Sequence, residues 1–245
     1  IMKHVLAASG HEPYKALTKK HVTAGRDRRS DTPAQARNFL DALRGLFRWA
    51  LKADHVKIDP TAGVDNPPRK TGQGFPEWTE EDGAAYEARW PAGTRQRVWL
   101  HVLLYIGARR GDAHRVGRQH QSGNELSFRT EKGGEQVTVT LPILPPLAAT
   151  LKAGPTGDLT FICGERGRPL TKESFGNAFS EAARAAGIKK SAHGVRKLAA
   201  TRCAEAGATV HQLNAIFGWS GTTMAMHYTQ AAERKRLARS AANML

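Results

Sequence analysis

Four short blocks of this 245-residue sequence hold side chains able to act on an anionic substrate. The first is Tyr105-Ile106-Gly107-Ala108-Arg109-Arg110-Gly111-Asp112. An apolar helix ends here, a glycine turns the chain and an arginine follows at once. That order holds the Arg109 guanidinium near the core, where its planar fork suits two phosphate oxygens. Asp112, three residues on, is placed to brace it by a salt bridge; the plainer reading is a surface arginine. The second block, Thr130-Glu131-Lys132-Gly133-Gly134, reads as a hairpin tip. Lys132 there either reaches a nucleic acid and donates a proton or is a solvated turn lysine. The third runs from Ser191 to Thr201, with His193 and Arg196 three apart at a helix start and so on one face. A histidine beside an arginine and a phosphate can exchange protons near neutral pH; the alternative is a capping histidine and an exposed arginine. The fourth runs from Ile216 to Gln230, where Trp219 follows a helix-ending glycine and Tyr228 comes nine residues later. Taken singly, Trp219 and Tyr228 read as packing residues.

The rest of the sequence narrows the chemistry. It contains no Gly-x-x-x-x-Gly-Lys-Ser/Thr loop, no His-Glu-x-x-His and no Gly-x-Ser-x-Gly, so nucleotide hydrolysis, zinc proteolysis and serine hydrolysis lack their usual motifs. Lys plus Arg number 37 against 22 acids, a formal charge of +15, and the pI is near 10.3. Such a surplus points to a polyanion, nucleic acid first, against the simpler alternative of a solvated basic surface. The two cysteines, Cys163 and Cys203, lie far apart and form no CxxC, which fits a reducing compartment rather than a disulfide framework. No apolar run approaches the roughly 18 residues of a spanning helix, and no signal-peptide pattern is present. A cytoplasmic protein without membrane contact is expected. Ile1 precedes Met2, so the sequence is read as missing its true N-terminus.

The elements that must position these blocks fall into two parts. Prolines and glycines cluster from Asp65 to Pro76 without apolar periodicity, which reads as a linker. Residues 1–70 carry 14 Lys/Arg against 7 Asp/Glu, the denser positive charge of the two parts. Their clearest element is a helix from about Pro33 to Ala53, capped by Asp31 or Thr32, with Pro33 at its first position. Ala36, Phe39, Leu40, Leu43, Leu46, Phe47, Ala50 and Leu51 form its apolar face, and Trp49 is expected to pack. Arg37, Arg44, Arg48 and Lys52 lie off that face, as phosphate contacts or simply as its wet side. In the second part, Thr79 to Asp82 reads as a capped helix start, and Val98 to Ile106 as an apolar helix stopped by Gly107. Glu125–Thr130 and Gln136–Leu141 read as a β-hairpin. After residue 170 the pattern is helical, with Thr171 and Thr209 as N-caps and Gly187, Gly207 and Gly218 as C-terminal stops. The fold class expected is mainly α with a small antiparallel β-sheet.

Taken together, the order and spacing of the four blocks resemble the tyrosine recombinase family, also called phage integrases. That family carries a Thr-Gly-x-Arg-x-x-Glu-like segment, a hairpin lysine, a His-x-x-Arg segment and a Leu-Gly-His/Trp segment with a tyrosine nine residues after its His or Trp. The resemblance covers roughly residues 95–235. Ile106 stands where Thr is common, Asp112 for Glu, Phe217 for Leu, Gln230 where His often occurs, and Trp219 for His. The resemblance implies a helical core DNA-binding domain at 1–66, a linker at 67–76 and an α-rich catalytic domain at 77–245 with a C-terminal tail at 231–245. It implies Tyr228 as nucleophile, Arg109 and Arg196 on the non-bridging oxygens, and Lys132 as proton donor to the leaving oxygen. His193 would take or steer the tyrosine proton, Trp219 would donate its indole N–H to a phosphate oxygen, and Asp112 would support. The product would be a 3′-phosphotyrosyl link and a free 5′-hydroxyl, made with neither metal nor cofactor. The implied partners are double-stranded DNA attachment sites and a homo-tetramer on DNA, with a monomer when free. The implied setting is the bacterial cytoplasm, at the nucleoid, in a bacterial or phage-encoded protein.

Three further expectations attach to this reading. The Gly221–Gln230 segment, rich in small residues and lightly apolar, could move to deliver the phenol. Tyr105 should be buried, and the tail from Ala231 should dock on another protomer, or else on its own domain. Two alternatives stand beside the recombinase: a type IB topoisomerase, and a catalytically silent DNA-binding protein.

Overall fold

The computed structural model describes residues 2–68, 74–131 and 137–242. Lys132 and the Gly133-Gly134 turn lie outside the described residues, as do residues 69–73 of the expected linker. The chain divides into two compact units, Ile1–Gln73 and Gly74–Leu245.

The first unit holds helices α1 (Met2–Ser9), α2 (Lys19–Asp27) and α3 (Pro33–Lys52). Pro33 opens α3, with Thr32 in the cap position but without the side-chain bond a cap would make. Phe39, Leu40, Leu43 and Phe47 close on Val22 of α2 and on Val64. Gly25 makes this approach possible, since a Cβ there would lie 2.6 Å from Phe39 Cζ. The buried seam steps by three and four residues through Ala36, Phe39, Leu40, Leu43, Phe47 and Ala50. Leu46 and Leu51 flank that seam and remain 39% and 42% exposed, which narrows the expected apolar face. Trp49 is not a core residue either: it is 58% exposed and leans on His55, ring centres 5.1 Å apart.

Three arginines lace residues 64–67 to the helices. Arg26 donates to Asp65 O at 2.9 Å, Arg37 to Pro67 O at 2.5 Å and Arg44 to Val64 O at 2.6 Å. Arg37 and Arg44 therefore have a structural task in this unit, while Arg48 and Lys52 of the same helix are exposed.

The second unit begins with α4 (Glu80–Arg89), entered through a reciprocal cap in which Asp82 N donates to Thr79 Oγ1 and Thr79 N to Asp82 Oδ2. Helix α5 (Arg95–Ile106) is buried on nearly every side, from Val98 through Ile106, as its unbroken apolar run requires. Next come α6 (Arg110–Ala113) and a three-stranded antiparallel sheet of β1 (Gln121–Ser122), β2 (Glu125–Arg129) and β3 (Thr138–Pro142). Leu126 pairs with Leu141 and Phe128 with Val139 on the buried face, while Ser127 and Thr140 pair outward. The hairpin follows the alternation of the sequence; β1, at two residues, is too short to show any. Helix α7 (Pro145–Ala153) leads to α8 (Lys172–Ala185), α9 (Ala192–Glu205), α10 (Val210–Phe217) and α11 (Thr222–Ala242). Thr171 and Thr209 accept from Ser174 N and Gln212 N, as N-caps do. Trp78, Tyr86, Phe175 and Phe179 form an aromatic cluster in the core. The architecture is thus mainly α with a small antiparallel sheet. No helix among the described residues is long and apolar enough to cross a membrane.

Two helices end on left-handed glycines, and the first of these packs against the last residue of the second helix. Gly107 (φ 65°) stops α5 and Gly218 (φ 57°) stops α10. A Cβ on Gly107 would lie 2.6 Å from Phe217 Cε1. Gly107→Ala therefore adds a strained backbone to a steric conflict, and urea denaturation should show a loss of about 2 kcal/mol or more. Unchanged stability would mean that α5 and α10 can separate freely at this point.

Candidate active site

The turns after α5 and α10 create an acceptor-rich spot, because the last carbonyls of a helix lack partners within it and carry its negative dipole end. Arg196, one turn into α9, fills that spot. Its Nη1 donates to Gly107 O and its Nη2 to Phe217 O, each at 2.7 Å. The guanidinium is only 5% exposed and lies over the rings of Phe217 and Trp219, 5.3 and 5.5 Å from their centres. Burial, and secondarily the charge of Arg109, pushes its pKa down to about 9, so it remains cationic at neutral pH.

Arg109 caps the start of α6, its carbonyl accepting from the N–H groups of Asp112 and Ala113 at 2.8 Å. It lies within electrostatic reach of Arg196, as do Asp112 and Tyr228. Asp112 is 1% exposed. The carboxylate expected to brace Arg109 accepts from Arg115 Nη2 at 2.8 Å and from Glu131 N at 2.7 Å. Asp112 thus ties the turn after α5 to the root of the hairpin tip.

The nucleophile candidate sits in an aromatic column. Trp219 stacks on Phe217 at 4.9 Å and on Tyr228 at 5.7 Å, the latter pair nearly parallel at 4°. His227 meets the Tyr228 ring edge-on at 5.2 Å. Tyr228 is 8% exposed. Burial first, then the carboxylate of Glu77, raises its pKa, and Arg196 partly opposes them. The phenol is therefore protonated at neutral pH and needs a base to act. Its segment is the start of the long helix α11, with Ala225 and Tyr228 in the core, as the helical pattern after residue 170 requires. Ala225, Tyr228, Thr229 and Ala232 recur on one side of that helix. Ala232 also packs on its own unit, so the tail begins by docking in cis.

The other tyrosines differ. Tyr14 is 49% exposed and Tyr86 fully buried, its pKa raised by desolvation. Tyr105, expected to be buried, is only partly so and stands edge-on to His101.

His193 shares its helix face with Arg196, and Phe75 covers it edge-on at 5.3 Å. The segment carrying Phe75 lies along the start of α9: Trp78 N donates to Gly194 O and Trp78 Nε1 to Ser191 O. Gly194 permits the contact, since a Cβ there would lie 2.4 Å from Pro76 O. In the same segment Glu77 accepts from Thr201 Oγ1 at 2.5 Å. Sequence reasoning missed Phe75, Glu77 and Arg115, because nothing in local spacing distinguishes them. Among the described residues no cluster of His, Cys, Asp or Glu could hold a metal ion.

Residues 84–235 match the model of the phage integrase family. The chain belongs to that family. It is 30% identical over 222 residues to the tyrosine recombinase XerD of Pseudomonas putida, covering 83% of this chain and 73% of that one. To XerD of Pseudomonas aeruginosa it is 28% identical over 214 residues, covering 80% and 71%. Its fold superimposes on a lambda integrase dimer bound to a COC′ core site with a TM-score of 0.72 at 20% identity, over 89% of this chain and 81% of that one. This tyrosine recombinase is an enzyme of DNA strand breaking and rejoining, in the class of site-specific recombination.

Proposed function

We propose that this recombinase cuts and rejoins DNA at attachment sites through a covalent 3′-phosphotyrosine at Tyr228. The observation that carries the reading is the convergence of the Trp219–Tyr228 stack on the buried Arg196 guanidinium, with Arg109 in electrostatic reach. A phosphodiester resists attack because it repels nucleophiles and its alkoxide leaves poorly. Arg109 and Arg196 supply positive charge to the two non-bridging oxygens, where it grows most valuable in the pentacoordinate transition state. The Arg196 fork is already aimed by its two carbonyl bonds, so little reorganisation remains at the moment of reaction.

Tyr228 Oη forms the bond to phosphorus as the bond from phosphorus to the 5′ oxygen breaks. The phenolic proton passes to His193, and Lys132 gives one to the departing 5′ oxygen, leaving a free 5′-hydroxyl. The Trp219 indole N–H donates to a phosphate oxygen. Attack by the 5′-hydroxyl of another strand reverses these steps and completes the exchange. In this reading DNA is held by the basic surface, with Arg48 and Lys52 of α3 more available to phosphates than Arg37 and Arg44. A monomer in solution assembles as a tetramer on DNA, at the nucleoid of the cytoplasm.

A duplex nicked near the cleavage point, so that the short 5′-hydroxyl fragment diffuses away, should trap the covalent complex. No adduct on any genomic fragment would favour a silent DNA-binding protein. Relaxation of supercoiled plasmid lacking a specific site would favour a type IB topoisomerase. With a formal charge of +15, affinity should fall with salt at a log–log slope of several units, measured by fluorescence anisotropy between low and physiological salt. A slope near zero would contradict binding through phosphates.

A further inference from the structure

The start of α9 is overlaid by the chain from Phe75 to Trp78, and that segment is held at successive residues. Trp78 N donates to Gly194 O at 3.2 Å and Trp78 Nε1 to Ser191 O at 3.1 Å. A Cβ on Gly194 would lie 2.4 Å from Pro76 O and 2.6 Å from Trp78 Cδ1, so strap and helix pack backbone to backbone. Farther along the same helix Thr201 Oγ1 donates to Glu77 at 2.5 Å, and Arg202 Nε to Glu80 at 2.7 Å. Pro76 also confines the residue before it to extended backbone conformations. Phe75 is therefore presented from a fixed point on α9.

Trp78 is 1% exposed and belongs to the core, whereas Phe75 is 59% exposed, so the core gains little from its ring. That ring meets His193, with centres 5.3 Å apart and planes at 62°. His193 is the second residue of α9 and is itself exposed. An imidazole in such a place has more than one staggered rotamer open to it, and a ring beside it narrows that choice. We propose that Phe75 is a positioning residue for His193: its ring, set by the strap on α9, holds the imidazole in the orientation that receives the phenolic proton. This rests on the reading of His193 as the proton acceptor for Tyr228. Proton transfer needs heavy atoms about 2.6–3.2 Å apart, and a displacement of about 1 Å can cost about 10²-fold in rate.

The test uses the full chain and a nicked duplex saturated with protein, so that the cleavage rate is read apart from DNA affinity. Phe75→Ala should bind DNA as the parent protein does and cleave it about 10-fold more slowly. Phe75→Tyr, which keeps the ring, should come within a few-fold of the parent, with Phe75→Leu between the two. His193→Ala should be slower still, by about 10²-fold or more. Phe75→Ala added to His193→Ala should then slow cleavage no further, because a residue that acts through another is not additive with it. If the alanine variant fails to fold, Phe75→Leu in the same pairing decides. Slowings that multiply would overturn the inference, as would lost DNA affinity with an unchanged saturated rate. If His193→Ala cleaves at the parent rate, the proton-acceptor reading falls and the inference with it. If His193→Ala is slow but Phe75→Ala and Phe75→Leu both match the parent, only the inference falls.

Discussion

Tyr228→Phe is expected to fold, to bind duplex DNA and to form no covalent adduct with it. The substitution removes one oxygen from a ring that is 8% exposed and stacked face to face on Trp219. The column from Phe217 through Trp219 is retained, so stability should change by no more than about 1 kcal/mol. In the proposed mechanism the oxygen removed is the one that bonds to phosphorus, and nothing else in the column replaces it. Cleavage of a nicked duplex should fall by about 10⁴-fold or more, as when other enzymes lose their nucleophile. Proteolysis of the parent adduct should leave the peptide containing Tyr228 on the 3′ end of the cut strand. An adduct that survives in Tyr228→Phe, or that maps to Tyr14, Tyr86 or Tyr105, would place the active site elsewhere.

The second large effect concerns Arg196. Truncation to alanine removes a cation from the proposed phosphate site and leaves the Gly107 and Phe217 carbonyls without this donor. A buried polar group deprived of its partner costs about 1–3 kcal/mol, so Arg196→Ala should lose roughly 2–6 kcal/mol in urea denaturation. Single-turnover cleavage should drop by about 10²–10³-fold or more, the usual effect of removing one donor aimed at developing charge. Arg196→Lys separates the two roles. An ammonium restores the charge but cannot span two carbonyls and still present a flat fork to phosphate. It should recover part of the stability and little of the rate. Full recovery of both would show that the site requires a positive charge and no particular geometry.

Much of the framework was legible because it is written in local chemistry. Thr79 with Asp82, Thr171 and Thr209 cap helices, and Gly107 and Gly218 stop them, where side-chain type and backbone freedom alone demand it. The alternation of Leu126 and Phe128 against Val139 and Leu141 sets the hairpin. Other features depend on contacts between residues far apart in sequence. Glu77 reaches Thr201 across 124 residues, and no spacing rule links the two. Arg37 and Arg44 look like solvent-facing cations on a helical wheel, yet their carbonyl partners lie in an irregular stretch that periodicity does not describe. Trp49 shows the converse limit. Its size suggests packing, but its position on α3 falls outside the seam that meets α2.

Helix α11 runs without interruption from Thr222 to Ala242. Its seated half carries Ala225, Tyr228 and Ala232 against the rest of the unit. Beyond them the described side chains Glu233, Arg234, Arg236, Ala238, Ala241 and Ala242 are exposed. Fourteen residues separate the phenol from the far end, about 21 Å at the rise of an α-helix. Backbone hydrogen bonds run along such a rod, so its exposed half continues the same axis that seats the Tyr228 ring against Trp219.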